Sequence, residues 1–279
     1  MDKDAQVNDS DRHLFMSLLG GLAWTVQTRP DVAVFVGALQ RKLQCPVVQD
    51  LLDLNRVLYY VKHKPLTMRF KKLRNPWKLI AISDSGFKGE GQDCLAIRSG
   101  LICLVNQDFP VQGANEVQIV EFVSKKQTRV CRSTYAAELY SGLDWMGLLF
   151  NVSMTMTELL LGEKTADELS SLHEEGNLPL KSELIIDAAS VFESAIAPEP
   201  RAPNDQPLLI HLLKLRELMS AQQLSKLHWI DTRSMLADGL NKGSIDRLAL
   251  QTVVERAIWM IEHGVTSSQI PKQSLKRTT

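Results

Sequence analysis

Apolar residues recur at helical spacing through the first quarter of the chain. Leucine and valine return every three or four positions, as they do along one face of an α-helix. The pattern predicts helices over residues 11–28, 30–43 and 47–62. Pro30 separates the first two, because proline suits a first helical turn but not a helix interior. We therefore expect a small helical unit over residues 11–75, preceded by a polar, disordered tail over residues 1–10.

After Asn75 and Pro76 the pattern changes to short apolar runs of strand length. Strands are predicted over residues 78–84, 94–105, 117–123, 184–187 and 227–230. Helices are predicted over residues 134–160, 188–197 and 208–222, and a further helix begins at residues 232–234. Strands and helices in this mixed order predict an α/β domain over residues 76–243, in which helices flank a mixed sheet.

Two further segments have a different texture. Residues 162–180 are charged and rich in small side chains, which predicts an exposed insertion within the α/β domain. Residues 244–263 have amphipathic spacing, so we expect a helix there, followed by a polar tail to residue 279.

Composition narrows the class of protein. The chain has 279 residues, and 44% hydrophobic content supports a substantial core. Lysine plus arginine and aspartate plus glutamate both number 32, and this zero net charge argues against a free-standing nucleic-acid binder while allowing a local basic patch. The four cysteines form no C-x-x-C pair, which favours a reducing compartment. We find no signal-peptide or transmembrane pattern and expect no membrane partner.

Four acidic residues fall where ligand sites collect in α/β proteins. Asp84 and Asp187 each end a predicted apolar strand, while Glu138 and Asp238 lie on helices expected to pack against the sheet. Acids gathered at a sheet edge raise one another's pKa unless a divalent cation neutralises them. All-oxygen ligands select Mg²⁺ or Mn²⁺, and two such ions about 4 Å apart would clamp the attacking water and the leaving oxygen of a phosphodiester. The alternative is four unrelated acids facing solvent.

Six short motifs along this chain resemble motifs in the C-terminal part of the Pol polyproteins of copia-type LTR retrotransposons, and they follow one another in the same order. The family patterns are "SLVGSLLYL…TRPDI", "LKRVLRYLKG", "SDADWAG", "SKKQ…SSTEAEY", "DNQSA" and "ADILTK". The similar stretches in this chain are residues 14–24 with 28–32, 54–62, 83–89, 124–127 with 132–140, 187–190, and 237–242. The resemblance covers about residues 11–243, which would correspond to a reverse-transcriptase connection followed by a ribonuclease H domain.

The resemblance implies a ribonuclease H-like fold and hydrolysis of the RNA strand of an RNA–DNA hybrid during reverse transcription. It places the family's metal-binding and catalytic acids on Asp84, Glu138, Asp187 and Asp238, the same four residues, with two Mg²⁺ or Mn²⁺ ions. The implied partners are the hybrid and the reverse-transcriptase polymerase domain of a full-length polyprotein. The implied location is intracellular, in the cytoplasm or a virus-like particle, with the nucleus also allowed.

Four cations lie close to Glu138 in the sequence and are candidates for contacts with the nucleic acid. They are Lys125, Lys126, Arg129 and Arg132. Cations opposite a cluster of acids could hold phosphates and contribute salt-sensitive affinity. The alternative is a solvated strand end whose charges balance locally. Because hybrids are read by shape and 2′-hydroxyl groups, we expect no sequence specificity.

The chain departs from the family at three places. Gly86 replaces the second acid of "SDADWAG", and Ala188 replaces the asparagine of "DNQSA". The loop over residues 231–234 lacks the histidine that some cellular ribonucleases H carry before their last helix. His228 and His211 lie on a strand and a helix, where packing is the favoured interpretation.

Two other functions stay open beside the nuclease. One is an inactive retrotransposon remnant that acts only as a folded module binding nucleic acid or protein. The other is an integrase-like recombinase, which the cysteine spacing disfavours. DNA synthesis by this chain alone is not expected, because no Asp-Asp dipeptide is present.

Overall fold

Three helices build the front of the molecule in the computed structural model, which describes residues 2–87, 95–199, 203 and 205–268. They are α1 (Asp9–Thr25), α2 (Ala33–Gln40) and α3 (Val48–His63), with two short 3₁₀ turns between α1 and α2. Their shared apolar core is formed by Phe15, Leu19, Leu22, Val32, Val36, Leu39 and Leu54. The three predicted helices are therefore present, and the first begins two residues earlier than expected.

The first residues do not form the disordered tail that their polarity predicts. The backbone N–H groups of Val7, Val48 and Gln49 donate hydrogen bonds that join residues 3–7 to residues 46–49. Gln6 pairs with Val47 as an antiparallel bridge. Backbone pairing of this kind is open to any side chain, which is why composition could not reveal it.

A seven-stranded mixed sheet forms the rest of the fold. Its strands are β1 (Trp77–Gly86), β2 (Ile97–Asn106), β3 (Gly113–Lys126), β4 (Lys181–Ile186), β5 (Lys226–Ile230), β6 (Ile258–Ile261) and β7 (Val265–Ser268). Their order across the sheet is β6-β3-β2-β1-β4-β5-β7. β4 runs parallel to β1 and β5, and the other pairs are antiparallel. The predicted α/β class with a mixed sheet is confirmed, although residue 94 of the second predicted strand lies outside the described residues.

Helices cover both faces of this sheet. One face packs against α4 (Thr134–Leu161), α6 (Ala189–Ile196) and α7 (Leu208–Ser220), and the other packs against α8 (Asp238–Asn241) and α9 (Leu248–Arg256). α4 lies very close to the sheet, because a Cβ atom at Gly100 would stand 2.4 Å from the indole of Trp145. That indole donates a hydrogen bond to the carbonyl of Ser99. Glycine at this position therefore fixes how near the helix can approach.

The predicted insertion over residues 162–180 contains α5 (Ala166–Glu174), a helix with no buried side chain. Thr165 caps it, accepting a hydrogen bond from the N–H of Glu168. The segment returns to the core only at Leu180, just before β4. Within the residues that the structure describes, none of the helices combines the length and apolar character that a membrane crossing requires.

The single helix predicted over residues 244–263 is wrong in its second half. α9 ends at Arg256, and Ala257 takes a left-handed conformation with φ of 53°. From there the burial alternates as in a strand, with Trp259 and Ile261 inside. β6 then pairs with β3, and β7 pairs with β5. Only residues 262–264 separate these two strands, so the sheet curls until its opposite edges nearly meet.

Candidate metal centre

Asp84 lies near the end of the central strand β1 and is 2% exposed. Its carbonyl accepts hydrogen bonds from the hydroxyls of Ser141, at 3.0 Å, and Ser99, at 3.4 Å. Its carboxylate accepts from the N–H of Ser85 at 2.7 Å and from the amide of Asn241 at 2.8 Å. Both the backbone and the side chain of Asp84 are therefore held in one orientation.

Glu138 lies one turn into α4, which begins beside the end of β1. Ser133 caps this helix by accepting from the N–H of Ala136 at 3.1 Å. Buried alanine and leucine side chains on the same face press the first turn onto the sheet and carry Glu138 inward. Its Oε1 accepts from the hydroxyl and the N–H of Ser85, at 3.0 and 3.3 Å. Its Oε2 is buried and has no hydrogen-bond partner among the described residues.

Asp187 follows β4 directly and lies beside the end of β1, because the two strands run parallel. Its Oδ2 accepts from the hydroxyl of Thr232 at 2.8 Å, and its carbonyl accepts from the indole of Trp229 at 2.9 Å. Both partners come from β5 and the loop after it. The neighbouring parallel strand therefore orients this acid.

Asp84, Glu138 and Asp187 converge on one point. Each offers one oxygen, and these three oxygens lie within 4.8 Å of one another. Oε2 of Glu138 is buried and has no partner among the described residues. Leaving a buried oxygen without a partner costs free energy of folding, so this oxygen favours binding of a cation or a hydrogen-bond donor. Three carboxylates form an all-oxygen donor set of the kind that hard divalent cations such as Mg²⁺ and Mn²⁺ prefer. The residues present fit a divalent metal site.

Electrostatics within this cluster favours the same reading. Burial, followed by the charges of Asp84 and Asp187, raises the pKa of Glu138 to about 9. Burial and the charge of Asp84 also raise the pKa of Asp187. Burial opposes ionisation of Asp84 as well, but Asp238, Lys242 and Asn241 outweigh it and its pKa is lowered. Without a cation, the cluster keeps a proton on part of its carboxylates near neutral pH.

The metal-free protein should consequently lose stability as pH rises, and Glu138→Gln should weaken that dependence. The pKa of a glutamate in the unfolded chain is about 4.3, whereas that of Glu138 in the folded protein is about 9. Between these two pH values the folded state binds one proton more than the unfolded state. The free energy of unfolding then falls as pH increases. We expect the thermal midpoint in EDTA to drop between about pH 5 and 8 in wild type, and to drop less in the variant.

The matched control for this measurement is Glu217→Gln, an exposed glutamate paired with Lys214. Its curve should follow that of the wild type. Three parallel curves would show that Glu138 does not titrate abnormally in the folded state.

Asp238, the fourth predicted acid, lies on α8 beside Asp84 but is not one of the three converging ligands. The ammonium of Lys242 binds its Oδ1 and also lies 3.7 Å from Oδ2 of Asp84. Burial, together with the hydrogen bond and charge of Asp84, raises the pKa of Asp238 to about 8. The structure therefore brings all four acids into one cluster, in which three face a common point and the fourth faces a lysine.

The sequence does not predict which polar residues hold the acids in place. Ser85, Thr232 and Asn241 each hold one acid, yet nothing in their spacing marks them. The side chain of Asn241 lies 3.5 Å from the position that a Cβ of Gly86 would take, an ordinary van der Waals distance.

The predicted nucleic-acid contacts surround the loop between β3 and α4. Lys125, Arg129 and Arg132 are exposed, and Lys126 is half-buried. Arg129 lies 5.2 Å from the ring centre of Tyr140 and 3.5 Å from the carboxylate of Asp144. These cations flank the helix that carries Glu138, and Arg129 has part of its charge balanced.

The two histidines interpreted as packing residues lie away from the acids. His228 is buried and bonds Glu183 at 2.9 Å and Ser267 at 2.7 Å. His211 contacts the ring of Tyr140 edge-on at 4.9 Å. Neither is a ligand of the cluster.

Three carboxylates meet at one end of the mixed sheet and offer only oxygen ligands. The chain is therefore an α/β protein with a candidate divalent-metal centre. Over 145 residues, 52% of this chain, it is 26% identical to the retrovirus-related Pol polyprotein from transposon RE1 of Arabidopsis thaliana and 27% identical to that from transposon RE2. The match spans 9% of each relative. No protein-family model and no solved structure matches. The similarity supports an origin in a retrotransposon Pol polyprotein.

Proposed function

We propose that this chain is a metal-dependent endonuclease of the ribonuclease H class that hydrolyses the RNA strand of RNA–DNA hybrids. The observation that carries the proposal is the convergence of Asp84, Glu138 and Asp187 within 4.8 Å at the ends of two parallel strands and one helix. The similarity to retrovirus-related Pol polyproteins from transposons supplies the second support.

The three converging acids would hold the divalent ion. Bound there, the ion would supply Lewis-acid chemistry, which activates water as a nucleophile and stabilises charge on a phosphate. The chain's own part is to keep the carboxylates in position before the substrate arrives, which is where preorganised sites gain their rate. Ser85 orients Glu138, Thr232 orients Asp187, and Asn241 orients Asp84.

A cavity of about 420 Å³ lies beside Asp238. It is also bordered by Thr232 and opens between the loop after β5, α9 and β6, while the three converging acids do not line it. On the other side, Lys125, Lys126, Arg129 and Arg132 would hold phosphates of the same duplex through salt-sensitive contacts. A hybrid gripped by its backbone at these points is read by shape rather than by base sequence.

Within this proposal the partners are the hybrid and the polymerase domain of a longer Pol polyprotein. The place of action is where reverse transcription occurs, in the cytoplasm or a virus-like particle, with the nucleus as an alternative. The fold assignment to the ribonuclease H-like class belongs to the same proposal, and the strand order β3-β2-β1-β4-β5 with Asp84 on its central strand supports it.

The test compares duplexes of one sequence. End-labelled RNA is presented as an RNA–DNA hybrid, as double-stranded RNA and as a single strand, each with Mg²⁺, Mn²⁺ or EDTA. We expect metal-dependent cleavage of the hybrid alone, leaving 5′-phosphate and 3′-hydroxyl ends. Hybrid binding without cleavage would instead identify the inactive remnant, and cleavage of all three substrates would contradict the proposed specificity.

A further inference from the structure

Lys242 places its ammonium inside the acidic cluster, between two carboxylates. Its Nζ binds Oδ1 of Asp238 and lies 3.7 Å from Oδ2 of Asp84. A cation in this position offsets the negative charges of Asp238 and Asp84.

The backbone that carries Lys242 is held by a half-buried arginine, Arg247. The guanidinium of Arg247 donates to the carbonyls of Lys242 at 2.6 Å, Ile245 at 2.9 Å and Gly239 at 3.2 Å. The N–H of Lys242 closes the last turn of α8 on the carbonyl of Asp238 at 3.0 Å. The stem of this lysine therefore starts from a rigid turn, unlike that of a surface lysine.

Two other buried acceptors near the acids have no partner among the described residues. Asn241 is 7% exposed and uses its amide nitrogen on Asp84, while its Oδ1 has no partner among the described residues. Oε2 of Glu138 is also unpartnered. Two buried oxygens therefore await a donor or a cation near the converging acids, whereas Asp238 already has its cation.

We propose that the centre binds one divalent cation, on Asp84, Glu138 and Asp187, and that the Lys242 ammonium serves as its second cation beside Asp238. The inference rests on the proposed metal-dependent function and replaces the two-ion expectation for this chain. An ammonium has three donors, and only one of them is bound to Asp238, so a donor remains to meet a phosphate oxygen. It would supply a fixed single charge where a second ion would supply two.

Manganese binding to the full chain tests this directly. Calorimetric titration and the electron paramagnetic resonance of free Mn²⁺ each give the number of ions bound. We expect one ion in wild type and two in Lys242→Gln, which keeps much of the side-chain length but removes the charge. Loss of the nearby positive charge should also strengthen the first site by about tenfold.

Two further variants locate the second ion. The double variant Lys242→Gln/Asp238→Asn should return to one ion, because the freed carboxylate of Asp238 is then gone. Lys214→Gln, an exposed lysine paired with Glu217 on α7, is the matched control and should bind one ion, as wild type does. Circular dichroism shows whether each variant is folded, and two ions in wild type would overturn the inference even where a variant does not fold.

Two ions of similar affinity in wild type would overturn the inference while leaving the nuclease proposal in place. One ion in both wild type and Lys242→Gln would show that the lysine does not occupy a cation position. One ion in wild type and two in the variant, without hybrid cleavage, would support the inference and contradict the nuclease. No bound Mn²⁺ in wild type would overturn the single-ion site together with the metal dependence.

Discussion

Asp84→Asn is expected to lower the rate of RNA cleavage in an RNA–DNA hybrid by about 10³-fold at saturating Mg²⁺ or Mn²⁺. A bound cation supplies several kcal/mol of transition-state stabilisation, and each 1.36 kcal/mol corresponds to about tenfold in rate. Asparagine has the same shape as aspartate but removes the negative charge that joins the metal ligands to Lys242. Initial rates on the labelled hybrid, measured with equal concentrations of folded enzyme, give the ratio.

Asp53→Asn is the matched control, because Asp53 is an exposed acid paired with Arg56 on α3. Its cleavage rate should equal that of wild type within about twofold, as is usual for surface positions. Equal activity of wild type and Asp84→Asn would end the enzymatic hypothesis for this cluster, whatever nuclease activity the preparation contains.

Glu183→Ala is expected to destabilise the fold by about 3 to 5 kcal/mol, because it leaves a buried cation without its partner. Glu183 lies on β4, 2% exposed, and its Oε2 accepts from Lys78 at 2.7 Å and from His228 at 2.9 Å. Burial raises the pKa of Glu183, but the hydrogen bonds and charges of these two partners outweigh it, so its pKa is lowered. Burial lowers the pKa of Lys78. Urea denaturation followed by circular dichroism measures the change.

Glu217→Ala removes an acid from an exposed pair with Lys214 and should change the free energy of unfolding by less than about 1 kcal/mol. The contrast between the two glutamates isolates the effect of burial. A loss at Glu183 no larger than the loss at Glu217 would mean that water reaches the Lys78–Glu183–His228 network.

The candidate ligands could be found from sequence because local pattern places each of them. Asp84 and Asp187 end apolar strands, and parallel strands bring such ends to one side of the sheet. Glu138 sits one turn into a helix whose apolar stripe faces that sheet. The periodicity of the strands and of the helix therefore predicts that the three acids lie in one region. The resemblance to retrotransposon Pol proteins indicates the same residues.

The polar partners of these acids could not be found in that way. Asn241 and Asp84 are brought together from distant parts of the chain, and Thr232 reaches Asp187 only because β5 lies beside β4. Lys78, Glu183 and His228 each interrupt an apolar strand, which is a weak sign of a buried polar group in each case. Only the strand registers show that the three interruptions meet.

The late strands were missed for a different reason. β6 and β7 have four residues each, too few for a periodic pattern to exclude a helix. Their identity depends on open edges elsewhere in the sheet, which no local window contains.

The way in which residues 258–268 complete both sides of the sheet governs how this protein can be made. A ribosome releases β3 and β5 well before it releases the short segment that pairs with them. Until then the nascent domain presents two rows of unsatisfied backbone N–H and C=O groups, a state in which strands join those of other chains. Truncation before residue 258 would therefore leave β3 and β5 without these edge partners, and the product would be prone to aggregate.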